Sequence, residues 1–314
     1  MSAPARGIAA MVAACVIWGL SPLYYKLLAH VPPLEILAHR TLWSFAIFGT
    51  LLLVQGRLGR LLRALAAWRV FLLIAFAGAM IALNWFVFIL SIQIGRTVEA
   101  SLGYYVFPLV AVGLGMLIFR ESLDRVQGLA VALAALAVLI LTIGLAGAPW
   151  IVLAVSLSFG LYGVVKKALE MGPVMSVTGE VLLLLPLALL WLWGVNMLGW
   201  TGLSGRPGGF FGQGWGDSLL LAFSGVMTAG PLILFSEAAR RLDYASVGLL
   251  QYLNPTLQFA VAVLVFREPF TIWHGIAFAL IWLALALYSA RAVERERSRR
   301  RQAASSSTEV TTDM

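Results

Sequence analysis

The feature that most restricts this chain is a series of near-continuous apolar runs, each roughly twenty residues long, the length that crosses about 30 Å of hydrocarbon as a helix rising 1.5 Å per residue. The runs lack the apolar/polar alternation of a barrel strand. A helix pairs its own amides and so needs no water, which is why it is the form such a run takes in lipid. Read against charge, Gly and Pro punctuation, ten runs stand out, at 7–29, 35–55, 70–91, 97–119, 126–145, 149–169, 175–196, 217–239, 245–266 and 271–291. Composition agrees: 61% of residues are hydrophobic and 11% charged, whereas a soluble domain carries roughly a quarter charged residues. The expected fold class is all-α integral membrane, with ten transmembrane helices and the lipid bilayer as its surroundings.

The net charge of +8 does not describe a nucleic-acid surface, because the basic residues lie between apolar runs and on the tail rather than along one amphipathic face. Cys15, the only cysteine, offers no intramolecular disulfide or redox pair. Arg6 and the apolar stretch after it have the form of a signal peptide. That stretch runs on through Ser21 and Pro22 to Lys26, and its pattern recurs later in the chain, so a first spanning helix is expected instead. The segment from Met197 to Gly216 reads as a Gly-rich surface loop, and residues 292–314, Arg/Glu-rich and then Ser/Thr-rich, as a disordered tail.

Lys and Arg are unevenly shared between alternate loops. One set holds 17 of them, the other only Lys26, Arg96, Arg206 and Arg267, with Arg40 left inside a run. Basic loops stay cytoplasmic, so both termini are expected there, in a bacterial inner membrane.

The chain also repeats. A shift of 147 places Ala75 on Ala222, Gly78 on Gly225, Tyr105 on Tyr252, Pro108 on Pro255 and Phe119-Arg120-Glu121 on Phe266-Arg267-Glu268. Earlier in the chain a shift of 141 places Gly19 on Gly160, Lys26 on Lys167 and Pro32 on Pro173. Each half, 1–146 and 147–291, holds five runs, and an odd number makes the second half enter the membrane from the opposite side. Two inverted five-helix repeats are the plan of many secondary transporters, whose solute site lies near the midplane between the halves.

Several residues together resemble the RarD branch of the drug/metabolite transporter superfamily. In the first half these are Trp18-Gly19, Tyr25-Lys26, Glu35-Ile-Leu-Ala-His39-Arg40, Asn84-Trp85 and Glu99-Ala-Ser101-Leu-Gly103-Tyr104. In the second they are Tyr162-Gly163, Glu180, Pro231, Gln251-Tyr252, Asn254-Pro255, Phe278 and Ile281-Trp282. The resemblance covers residues 7–291 and implies two EamA-type domains in a permease for small metabolites or drugs; the family name derives from chloramphenicol sensitivity. Where that family often has Gly-Glu, this chain has Arg120-Glu121 and Arg267-Glu268, a departure expected to tune loop contacts.

Ionisable groups inside spans cost about 2.5–3.5 kcal/mol at a helix centre, so each asks for a reason. Arg40 either snorkels to the interface or faces the solute. His39 is a titratable group or a structural hydrogen-bonder. Glu180, its counterpart under the shift of 141, exchanges a coupling proton or pairs with a lysine such as Lys167. Glu99 and Glu237 lie nearer helix ends, where ion pairing is the simpler reading. Deeper still, Asn84, Tyr105, Gln251 and Tyr252 either line one central cavity with a few polar groups or make interhelical hydrogen bonds. Pro108 and Pro255 read as paired helix breaks. Trp18, Trp85 and Trp273 read as packing or interfacial rings.

His30, His39 and His274 sit on separate elements, so no metal or cofactor is expected, and no GxxxxGK[ST] loop binds ATP. The expected function is secondary transport of a small solute, with proton coupling through Glu180 and His39. A receptor or scaffold without transport is the alternative, and self-association into a homo-oligomer is left open.

Overall fold

In a computed structural model of the protein, residues 3–119, 125–144, 149–202, 205–242, 244–288 and 290 are described, and the expected tail, Arg120 and Glu121 lie outside them. The described residues are helical, with no strand among them. In chain order the helices are α1 (Ala3–Leu27), α2 (Pro33–Val54), α3 (Leu58–Leu65), α4 (Trp68–Gln93), α5 (Thr97–Phe119) and α6 (Arg125–Gly144). They continue with α7 (Trp150–Ala168), α8 (Pro173–Leu198), α9 (Trp215–Ala239), α10 (Tyr244–Gln251), α11 (Leu253–Ala260) and α12 (Ile272–Tyr288). Eight of them, α1, α2 and α4 to α9, are long and apolar enough to cross a membrane.

Local chemistry sets the ends. Pro33 and Pro173 open α2 and α8 at the first helical position, where a missing N–H costs nothing. Gly199, at φ 66°, ends α8, and the Trp200 amide turns back to the Gly194 carbonyl, a closure that needs a left-handed residue.

Two expectations are corrected. The run at 245–266 is not one helix: it stops at a turn at Tyr252, resumes as α11 and ends in a π-helical turn over Val261–Val265. Pro255 has no N–H for the carbonyl four residues earlier, and the break falls beside that orphaned group, with Thr256 turning its hydroxyl onto the Tyr252 carbonyl at 2.7 Å. Pro108 at the equivalent place lies inside unbroken α5. Second, the basic connection at 56–69 contains α3, whose Leu61 is fully buried.

The two halves interleave. Helix α4 packs on α7 as α1 packs on α9; α4 meets α8 as α2 meets α9; α5 lies on α7 as α1 lies on α11; α2 faces α8 and α5 faces α11. Repeat-related glycines lie at two of these contacts. A Cβ on Gly78 would sit 3.4 Å from the Glu180 carbonyl oxygen, and one on Gly225 only 2.6 Å from the Trp43 carbonyl carbon. Large apolar side chains such as Leu53, Val54, Leu117, Ile143, Leu187 and Leu264 face outward, as lipid contact requires.

At the departure from the family pattern, Arg267 takes the left-handed φ of 54°, a conformation that glycine adopts without strain. Glu268 beside it accepts the Val98 N–H at 2.8 Å, capping the start of α5 from the other half of the chain.

Candidate functional site

Arg40, on the second turn of α2, is buried to 5% exposure. Its Nη1 donates to the Tyr25 hydroxyl of α1, and its guanidinium lies 4.1 Å from the Trp85 ring centroid of α4. No carboxylate among the described residues pairs with it. Stacking on an aromatic face offsets part of the desolvation of a cation, which places Arg40 inside the bundle rather than snorkelling out of it. The rings continue from Tyr25 through Phe88, 6.1 Å away, to Tyr104 of α5, a further 5.7 Å.

Asn84 precedes Trp85 on α4 and ties three helices together. Its amide donates to the Val155 carbonyl at 3.0 Å and to the Ser158 hydroxyl at 3.2 Å on α7, while its carbonyl accepts from Tyr104 at 2.7 Å. Tyr105, the next residue on α5, points elsewhere. Its ring stacks on Tyr252 at 6.4 Å and its hydroxyl pairs with Thr256 at 2.5 Å, beside Phe278 and Trp282. Gln251 ends α10 half-buried just before Tyr252. Of the four deep polar residues, Tyr105, Gln251 and Tyr252 gather where α5 meets the broken helix. Asn84 stands with Arg40, and α5 lies between the two groups.

A second polar cluster lies between α7 and α8. Glu180, 1% exposed, pairs with Lys166 and accepts hydrogen bonds from Ser176 at 3.0 Å and Tyr162 at 3.2 Å. The lysine is Lys166 rather than Lys167, because residues 162 and 166 are one helical turn apart and share a face. Glu99 is bound bidentately by Arg96, at 2.5 and 2.7 Å, and Glu237 is held by Arg240 and Arg241.

The loop after α8 does not simply lie on the surface. Glu35 accepts the Gly209 and Phe210 backbone N–H groups, both at 2.8 Å. Phe211 stacks on the His39 ring at 4.8 Å and lies 6.1 Å from Trp43. Arg206 donates to the Ala29 carbonyl and to Gln93. Among the described residues His39 Nδ1 is buried without a partner, and so are Arg40 Nε, Trp43 Nε1 and Ser44 Oγ. Beside this end of α2 lies an apolar crevice of about 120 Å³, lined by Pro32, Leu34, Phe86, Leu90, Trp191 and Thr201 among others. It is smaller than the roughly 300 Å³ at which small-molecule pockets begin.

Reading the sequence alone passed over Tyr25, Trp85 and Tyr104 as site residues. A usable signal was present: a buried arginine calls for an aromatic face or an acid, and no acid lies within a turn of Arg40 except Glu35, on another face. Among the described residues no group of three or more His, Cys, Asp or Glu is placed to hold a metal.

Residues 5–143 match the EamA-like transporter family. Protein RarD of Streptomyces exfoliatus is 41% identical, the alignment covering 91% of this chain and 90% of the relative. The uncharacterized transporter YojE of Bacillus subtilis is 38% identical, covering 93% and 96%. Protein RarD of Escherichia coli K12 is 33% identical, covering 93% and 96%. A solved crystal structure of a protein 19% identical superposes with a TM-score of 0.58 over 90% of this chain and 96% of that one, a likeness of fold alone. With relatives this similar along nearly the whole chain, the protein is a multi-pass membrane protein and belongs to the EamA-like transporter family, as a RarD-type member of the drug/metabolite transporter superfamily.

Proposed function

We propose that the protein is a secondary transporter of small solutes in a bacterial inner membrane, working by alternating access between two five-helix halves of inverted topology. The observation that carries this reading is the reciprocal packing of the halves. Apart from α3 on α8, the main contacts of first-half helices with the second half have counterparts with the roles exchanged, such as α4 on α7 and α1 on α9. Two equivalent ways of closing are what a rocking mechanism requires. The solute site is assigned to the polar and aromatic groups enclosed by α1, α2 and α4, with Arg40, His39 and Asn84, and extended across α5 to Tyr105, Gln251 and Tyr252. Proton coupling is assigned to Glu180 with Lys166, and to His39 at the matching place in the other half. Both termini are assigned to the cytoplasm.

Purified protein in sealed liposomes, loaded with a bacterial metabolite extract and analysed by mass, should exchange at least one solute faster than protein-free vesicles. Equal exchange in the two would remove the reading. For orientation, a reporter fused after Arg291 should read cytoplasmic and one near Arg206 periplasmic; the reverse pattern inverts the topology.

A further inference from the structure

Four polar groups on α2 are buried without a partner among the described residues: His39 Nδ1, Arg40 Nε, Trp43 Nε1 and Ser44 Oγ. Their spacing, i, i+1, i+4 and i+5, places them on one face of the helix. The guanidinium and indole N–H groups can only donate, and imidazole and hydroxyl are able to. A buried donor without an acceptor costs roughly 1–3 kcal/mol, and a buried cation without a counter-ion costs more. Four such groups in one strip are suited to something that accepts hydrogen bonds.

Arg40 narrows the choice. Nη1 is used by Tyr25 and one face is covered by Trp85. Nε, on the Nε–Nη2 edge of the guanidinium, has no acceptor among the described residues. That edge is a fork of two parallel N–H bonds, the shape a carboxylate fits bidentately. The nearby acids are engaged elsewhere: Glu35 by the Gly209 and Phe210 amides, and Glu180 by Lys166. A phosphate monoester, carrying about −1.5 to −2 near neutral pH, would ask for more positive charge than one guanidinium. The surrounding surface is aromatic, with Trp85, Tyr25 and Phe88.

We infer that the transported solute carries a single carboxylate on an aromatic or otherwise apolar body, the carboxylate docking on the Nε–Nη2 edge of Arg40 and the body lying against the neighbouring rings. This rests on the transport reading above and adds to it the class of solute.

The test is a comparison of acids with their own amides. Full-length protein in detergent is titrated with benzoate, phenylacetate, phenylpyruvate and hexanoate, each against its primary amide, which keeps the shape and removes the charge. At least one acid should bind about tenfold more tightly than its amide, the scale of a charge-assisted fork. Arg40→Gln should abolish that preference, and Arg40→Lys, a point charge without the fork, should retain only part of it. If no acid is preferred over its amide, or if phenyl phosphate outbinds every acid, the inference is overturned. That comparison uses the unaltered protein and so stands even where Arg40→Gln does not fold. Liposomes separate the two claims. Exchange of amides as fast as acids leaves transport intact and removes the carboxylate, whereas acid binding without exchange leaves the site intact and removes transport.

Discussion

The clusters around Arg40 and Glu180 occupy matching places in the two halves and settle their charge in opposite ways. Under the shift of 141, Tyr25 corresponds to Lys166 and His39 to Glu180. In the first half the α1–α2 pair is Tyr25 with Arg40; in the second the α7–α8 pair is Lys166 with Glu180. The second cluster is complete. Its carboxylate has a cation and two hydroxyl donors. The first is open: its cation has a phenol and a ring, and its Nε faces no acceptor among the described residues. Equivalent architecture thus supports one site satisfied from within and one that calls for a partner from outside.

The largest effect is expected from Lys166→Met. It strands Glu180, whose side chain is 1% exposed against 23% for the lysine, and breaking a buried pair from one side costs about 3–5 kcal/mol. Thermal unfolding in detergent should show this, and the loss should shrink on acidification, because a protonated carboxyl is no longer a stranded charge. A loss equal at acid and neutral pH would mean that lost packing, not charge, is responsible.

Glu180→Gln should cost less, about 1–3 kcal/mol, since it strands the partner that still reaches solvent. Its functional signature is sharper: accumulation driven by an imposed pH gradient is lost while equilibrium exchange survives. A variant that still concentrates solute under the gradient makes the Glu180–Lys166 pair purely structural.

The smallest stability effect is expected from Arg40→Met, within about 1 kcal/mol of the parent, because replacing an uncompensated buried charge by an apolar side chain of similar length relieves desolvation. Solute exchange should nevertheless disappear. Were this variant as unstable as Lys166→Met, Arg40 would be a structural strut and the contrast between the halves would collapse.

The spans were legible because hydrocarbon thickness writes itself into run length, and α1, α2 and α4 to α9 follow it within a few residues. Where the backbone interrupts a run, as at Tyr252, apolar content alone carries no mark, and Pro255 was an ambiguous one since Pro108 breaks nothing. The short helix α3 was hidden by its arginines, although Leu58, Leu61, Leu62 and Leu65 repeat at helical spacing. Within the site, Arg40 and Glu180 announced themselves by the cost of burying charge. Their partners did not, because Tyr25, Trp85 and Tyr162 are also ordinary bundle residues. Adjacent positions 104 and 105 are about 100° apart on a helix, and only the packed structure tells which ring meets Asn84 and which meets Tyr252.

The fastening of the loop after α8 to Glu35 is made through main-chain amides, and this divides the freedom to vary unequally. Any non-proline residue at 210 carries the N–H that Glu35 needs, so that position can drift without loosening the catch. Gly209, at φ 89°, is held by its backbone angle. Glu35 is held by its charge. A catch with one chemical half and one conformational half can therefore keep its strength while the loop around it is rewritten to suit a different solute.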